Sequence, residues 1–191
     1  MKDRAYQFPL PNLTPEMQTI LDVGPGQFPL PQATRCFDID DTWKEHRLVP
    51  CDMGTVELLP YRDYEFEYVY ASHVLEHVDN PLKAIQELQR VGKYGYIEVP
   101  SVMLDWFCQH GNVHTRWMCL QSNSTILFVA RPVNLVFSDE QQRNTIHRLI
   151  HYDIPLSDND RQLRDFFWDN QKTLNISAAW TPSHRIEAMV L

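Results

Sequence analysis

"TILDVGPGQFPLPQATRCFDID", residues Thr19 to Asp40, decides how this chain folds. It reads as strand, glycine turn, strand. Ile20, Leu21 and Val23 form a short apolar run rich in branched side chains, and the run stops at Gly24-Pro25-Gly26, as a buried parallel strand ending in a tight turn does. A second short run, Arg35-Cys36-Phe37, ends in Asp38-Ile39-Asp40. Gly24 and Gly26 can take positive φ and let a ligand approach the backbone, while a carboxylate at the tip of the next strand can accept two hydroxyl hydrogen bonds from a ribose. Together they make half of a nucleoside pocket. Pro29 and Pro31 stand where such a fold would start a long helix, and proline forbids a helix interior. The first crossover is therefore a loop, without the helix N-terminus that cradles phosphates. That disfavours NAD and FAD and permits a cofactor without phosphates.

Further along, Arg47-Leu48-Val49 leads into Pro50-Cys51-Asp52-Met53, a third strand ending in an acid. Asp52 can accept from the exocyclic amine of a purine with Met53 on the ring face, or it can simply start the turn before Gly54. Phe66, Tyr68, Val69 and Tyr70 form a fourth strand that opens at Ala71-Ser72-His73. Asn80-Pro81 starts an amphipathic helix with Leu82, Ile85, Leu88 and Val91 at helical spacing and Gly92 as its stop. "YGYIEVPS" supplies a fifth strand, ending at Glu98 to Ser101.

Strand and connection thus repeat five times, which predicts an α/β, Rossmann-like, doubly wound and mostly parallel sheet. Asp22, Gly24, Asp38, Asp52, His73 and Glu98 fall at the carboxyl ends of its strands, where ligands of such sheets bind. Past Ser101 a helical stretch over 102–109 leads to an inserted β-hairpin turning at Ser122 to Thr125, followed by helices over 139–151 and 158–171. Two apolar runs around Pro182-Ser183-His184 would form a C-terminal antiparallel pair closing the sheet edge.

At 191 residues the chain is long enough for one such domain and too short for two. We read residues 1–13 as an extended arm, 14–101 as the cofactor-binding half and 102–191 as the acceptor side and sheet closure. The arm and the small size suit a domain of a longer polypeptide. Thr14 suits an N-cap, with Pro15 at the first position of a single turn. A net charge of −8 with no cluster of Lys and Arg argues against nucleic acid as partner. Cys36, Cys51, Cys108 and Cys119 show no CxxC pairing, which favours reduced, buried thiols and a cytoplasmic location. No apolar run approaches the ~20 residues that cross a bilayer, so no membrane insertion is expected.

With these residues in hand, the chain resembles class I S-adenosylmethionine-dependent methyltransferases over roughly residues 18 to 101. The resemblance rests on "LDVGPG", the acid after the second strand, "CDM", "LPY", and "YASHVLEHVDNP" followed by "ELQRVGKYGYIEVPS". It implies that the turn of Asp22, Gly24, Pro25 and Gly26 lies under the methionyl part of S-adenosylmethionine. Asp38, with Ile39, would hold the ribose, Asp52 and Met53 the adenine, and Ala71, Ser72 and His73 would face the methyl. The proline-rich turn departs from the family pattern and leaves the methionine carboxylate to backbone amides. "GPGQFPLPQAT" and "HTRW" are similar to a smaller group with FPxAT and HxW segments, associated with glycosyltransferases and surface-glycan synthesis, including polypeptides of large DNA viruses of algae. The resemblance therefore implies a sugar O-methyltransferase, fused to or working with glycosyltransferase domains.

Transfer to a sugar hydroxyl needs a base. His73 is the first candidate, since neutral histidine accepts a proton near pH 7. His114 and His110 follow, then Asp105. Against these roles, His73 could cap the next helix, His77 could bond locally, and Glu76 suits a structural acceptor for local backbone better than a base. Histidines near acids also suit a divalent metal, but none is expected. Tyr94, Tyr96, Trp106, Phe107 and Trp117, with Arg116, offer aromatic surface for a carbohydrate acceptor, although core packing explains each of them singly. Two rival functions remain: methylation of a phenol or quinone, and a non-catalytic cofactor-binding or scaffold module.

Overall fold

The structure, a computed structural model, describes residues 9–27, 29–102, 115–131 and 175–191. Five strands run parallel: β1 (Ile20–Val23), β2 (Arg35–Asp38), β3 (Cys51–Met53), β4 (Phe66–Ser72) and β5 (Gly92–Pro100). An antiparallel strand, β8 (Asn175–Trp180), borders β5 and completes the sheet order β3-β2-β1-β4-β5-β8. The strand order reverses between β1 and β4, so the carboxyl ends of these two strands flank a crevice. This is a Rossmann-like, mostly parallel sheet.

Helix α1 (Pro81–Val91) begins as the sequence predicts. Asn80 Oδ1 accepts from the Lys83 N–H at 3.0 Å, Pro81 occupies the first turn, and Gly92 ends the helix. Its buried side chains are Pro81, Ala84, Ile85, Leu88 and Val91; Leu82, expected among them, is only half-buried. Ala84, Ile85, Leu88 and Val91 pack on one face of the sheet with Leu21, Val23, Val69, Ala71, Ile97 and Val99. The opposite face carries Ile20, Tyr68 and Tyr70, and no helix among the described residues covers it. Leu30 and Ala33 from the first crossover pack there, joined by Leu10, Leu13 and Met17, and the Tyr68 hydroxyl donates to the Pro11 carbonyl at 2.9 Å. The N-terminal stretch thus lies on the sheet. Within it the Met17 N–H donates to the Thr14 carbonyl, closing the single turn expected at Thr14-Pro15.

The hairpin is present as β6 (Trp117–Ser122) and β7 (Thr125–Ala130), turning at Asn123 with φ 54°. The C-terminal runs differ from expectation. β8 closes the main sheet, but β9 (Glu187–Val190) pairs parallel with β7 in a separate three-stranded sheet, β6-β7-β9. Between the two runs the described residues show an isolated antiparallel bridge, Thr181–His184. Ile176 and Trp180 of β8 and Ile126 and Phe128 of β7 all join the main core.

The cysteine reading needs correction as well. Cys36 and Cys51 occupy the same register step of β2 and β3 and are joined as a disulfide, with Cα atoms 4.3 Å apart. No spacing rule announces this pair, because strand register and not sequence distance sets them side by side. The cysteine-based case for a reducing, cytoplasmic setting therefore loses its premise. Among the described residues no helix is long and apolar enough to cross a membrane. Cys108 and the helices expected over 102–109, 139–151 and 158–171 fall outside the described residues, apart from position 102.

Gly95 marks where the sheet is tightest. A Cβ there would meet the Trp180 ring at 2.2 Å and the Val69 carbonyl at 2.4 Å. Trp180 itself is fully buried, with its Nε1–H donating to the Gly92 carbonyl at 3.1 Å. Gly95→Ala should destabilise the fold by about 2 to 3 kcal/mol through overpacking against backbone that cannot retreat. Urea unfolding of the two proteins measures it, and equal midpoints would show that β8 gives way freely.

Candidate active site at the strand tips

The first strand ends in a turn built on two glycines. Gly24 has φ +66° and Gly26 φ +51°, backbone that L side chains rarely adopt. A Cβ on Gly26 would point into open space with nothing within 4 Å, whereas one on Gly24 would strike Val74 at 2.5 Å. Gly26 thus leaves its backbone open to a ligand, and Gly24 lets the β4 connection close over the turn. The Gly24 N–H donates to the Phe37 carbonyl at 2.8 Å, tying the turn to β2, and Pro25 is buried.

Asp22 lies beneath this turn rather than on its surface. It is 1% exposed, and its Oδ2 accepts from the Leu30 N–H at 2.7 Å. Burial pushes its carboxyl up to about 7, against the Leu30 bond, with a further upward push from Asp38. The expected contact of Asp22 with a cofactor is therefore indirect: the side chain holds the proline-rich loop that shapes the cradle.

Asp38 ends β2, mostly buried. Its Oδ1 accepts from the Ile39 N–H at 2.8 Å, and Arg47 Nη2 stands 3.6 Å from Oδ2. Burial raises its pKa, while the Ile39 bond and Arg47 oppose the rise. Arg47 also donates to the Asp40 carbonyl, so it braces the segment after β2. Nothing in the sequence singles out Arg47, which sits nine positions on in irregular backbone. Asp52 receives the Tyr61 hydroxyl on Oδ2 at 2.8 Å, and Arg35 Nη1 lies 3.5 Å from the same oxygen. Ile39 and Met53, beside the two acids, are 71% and 62% exposed. Two large apolar side chains in water at adjacent strand tips suit the faces of a flat, apolar ring.

On the other side of the crevice, Ser72 Oγ donates to Glu98 Oε1 at 3.2 Å and the Tyr96 hydroxyl to Glu98 Oε2 at 2.9 Å. His73 follows Ser72 with φ +57°, its N–H donating to the Glu98 carbonyl at 2.9 Å. Its ring stands between two carboxylates, Nδ1 3.3 Å from Glu76 Oε1 and Nε2 3.7 Å from Glu98 Oε1. Glu98 was legible only as a strand-end acid; its part in gathering Ser72, Tyr96 and His73 comes from the pairing of Ser72 with Glu98 across β4 and β5. The segment after His73 is a turn, not the start of a helix.

Glu76 does not serve local backbone through its side chain in any described bond. Its main-chain carbonyl does the accepting, from the Arg116 and Trp117 N–H groups at 2.7 and 3.2 Å. Trp117 is likewise a clamp, its Nε1–H donating to the Val78 carbonyl at 2.8 Å and its ring edge-on to Phe128. Arg116 pairs with Asp79. The two residues thus fasten β6 to the 73–79 turn, which explains them without an acceptor. His73 and His77 stand four residues apart, but among the described residues no group of three His, Cys, Asp or Glu is arranged to hold a metal. His114, His110, Asp105, Trp106 and Phe107 lie outside the described residues.

Residues 21–97 match the family model described as "Methyltransferase domain". A curated protein of Schizosaccharomyces pombe, named as an uncharacterized methyltransferase, is 25% identical over 198 residues, covering 89% of this chain and 70% of its own length. Among solved structures, a SAM-dependent methyltransferase of Thermotoga maritima, described as a possible histamine N-methyltransferase, shows 26% identity and a TM-score of 0.42. The match covers 47% of each chain. One from Aquifex aeolicus shows 19% identity and a TM-score of 0.36, over 44% of this chain and 57% of its own. The chain thus spans about half the length of these solved structures. Over residues 21–97 the chain is thus similar to a methyltransferase domain, and S-adenosylmethionine is the cofactor of such domains.

The residues present fit that group. The open backbone at Gly26 suits the methionyl part, Asp38 the ribose hydroxyls, and Asp52 Oδ1 with Ile39 and Met53 the adenine. Asp38→Ala should weaken S-adenosylmethionine binding by about 1.5 to 3 kcal/mol, the scale of hydrogen bonds to a charged group; calorimetry showing unchanged affinity would place the ribose elsewhere. Asp22 gives a separate test by pH. Its folded-state pKa of about 7 exceeds the ordinary 3.8 of an aspartate, so its stabilisation is full below 3.8 and lost as pH rises to about 7. Asp22→Asn, which keeps an acceptor for Leu30, should flatten a decline on the order of a few kcal/mol in unfolding free energy across that window.

Proposed function

We propose that this chain is an S-adenosylmethionine-dependent methyltransferase acting on an oxygen of a carbohydrate, methylating a sugar hydroxyl of a glycan or glycoconjugate. The observation that carries the reading is His73, held in a strained backbone conformation at the tip of β4 with a carboxylate beyond each ring nitrogen. A sugar hydroxyl is too weakly acidic to react without losing its proton, so it requires such a base, whereas a phenol requires one far less. When bound, S-adenosylmethionine would supply an electrophilic methyl whose bond to sulfur breaks, with the neutral thioether leaving, as the acceptor oxygen bonds to the carbon in line.

The chain's own residues orient and deprotonate. Glu98, fixed by Ser72 and Tyr96, sits 3.7 Å from His73 Nε2, and its carboxylate suits a neighbouring hydroxyl of a polyol. His73 takes the hydroxyl proton at Nε2, and the imidazolium so formed is met by Glu76 and Glu98 on either side. The net charge of −8 supports a neutral acceptor over a polyphosphate. A glycosyltransferase partner fits the same reading, because it would supply the glycan.

His73→Ala should lower the maximal rate roughly 100-fold or more while leaving cofactor affinity within about twofold. Turnover is measured against a panel of free and lipid-linked sugars alongside simple phenols. Methylation of phenols alone, with His73→Ala fully active, would favour the small-metabolite reading. Cofactor binding without turnover on any acceptor would leave a non-catalytic module.

A further inference from the structure

We propose that Glu76 is the positioning residue of His73: its buried carboxylate takes the Nδ1 proton as a hydrogen bond and thereby leaves the Nε2 lone pair for the acceptor. The proposal rests on the reading of His73 as the base. Glu76 is 1% exposed, and its two oxygens differ sharply. Oε1 lies 3.3 Å from His73 Nδ1 and 3.6 Å from His77 Nε2, while Oε2 is buried with no hydrogen-bond partner among the described residues. A carboxylate taken out of water and left half unsatisfied is costly unless a cation stands beside it. The imidazoles are the groups that can become that cation.

The two carboxylates flanking His73 are not equivalent. Both Glu98 oxygens already accept hydroxyl hydrogen bonds, from Ser72 and Tyr96. The side chain of Glu76 faces imidazoles alone in the contacts described. Its acceptor capacity is the larger one, and it lies closer to the ring. A neutral histidine whose Nδ1–H is held by a carboxylate keeps its lone pair on Nε2, and the same carboxylate stabilises the ring once Nε2 is protonated.

Two other elements, β5 and the β6 segment, hold this geometry. The His73 N–H is paired to β5 through Glu98, and the Glu76 carbonyl receives the first two N–H groups of the β6 segment, Arg116 and Trp117. Trp117 closes the turn again at Val78. Among the described residues, the charged and titratable groups that face His73 include Glu76 from its own turn and Glu98 from β5. His77 shares the Glu76 oxygen, and the Arg116–Asp79 pair lies at the end of the turn.

Nitrogen-15-resolved imidazole NMR of the full chain, with single-turnover rates and cofactor calorimetry, tests this on Glu76→Gln and Glu76→Leu, alone and with His73→Ala. Unsubstituted protein should show neutral His73 as the Nδ1–H tautomer, and Glu76→Leu should shift it towards Nε2–H. Glu76→Gln should lower the His73 titration midpoint and slow turnover roughly 10- to 100-fold, with S-adenosylmethionine affinity within about twofold. On the His73→Ala background it should add less than about twofold, because the two residues act as one unit. An Nε2–H tautomer in unsubstituted protein overturns the proposal, even should no Glu76 variant fold. So does a Gln penalty that persists undiminished without His73. A fully active His73→Ala protein instead sinks the base reading, and this proposal with it.

Discussion

The hydrogen bond from the Leu30 N–H to Asp22 is the constraint on which the cofactor side of the molecule depends. Pro29 and Pro31 remove the helix that would otherwise cover β1 and hold the glycine turn. Something else must pin the loop of residues 24–34 over the sheet, and it must do so without exposing the first strand. Leu30 does both. Its side chain fills the space above Ile20, Tyr68 and Tyr70, and its N–H reaches down to the Asp22 carboxyl. The carboxyl is buried for the same reason, which raises its pKa, and the cradle at Gly24 and Gly26 keeps its shape although no helix follows it. Loss of the helix also frees the tyrosine face of the sheet, and the N-terminal stretch from Leu10 to Met17 packs there in its place.

The acceptor side obeys a different logic. Here the determining contacts cross between the two sheets: the β6 segment grips the turn of His73 to Asp79 by two backbone hydrogen bonds, one indole bond and one ion pair. The histidine's left-handed backbone conformation is maintained because both flanks are fixed, on β5 and on β6. Residues that look like sugar-facing surface in the sequence, Arg116 and Trp117, turn out to be the fastening. What remains at the crevice is a polar group of one histidine, two glutamates, a serine and a tyrosine, with one carboxylate oxygen unsatisfied.

Local rules made much of this legible. Apolar runs ending in Gly or Asp mark β1 to β3, Asn80-Pro81 and Gly92 bracket α1, and the doubled prolines announce a crossover without a helix. Such features depend on one residue's φ, donor count or side-chain period, so they can be read without knowing the fold. Asp38 and Asp52 were legible as strand-end acids for the same reason. Their partners Arg47, Arg35 and Tyr61 had no comparable local signature as partners.

The sequence by itself therefore determined the order of strands along the chain, the glycine cradle, the acids that end β2 and β3, and helix α1. Tertiary structure alone decided which residues became neighbours: Cys36 with Cys51, Glu98 with Ser72 and His73, β9 with β7, and Asp22 with Leu30. The physical reason is register. Strand pairing brings together residues 15 to more than 60 positions apart by a choice that maximises buried apolar area over the whole sheet, and no short window of sequence contains that sum.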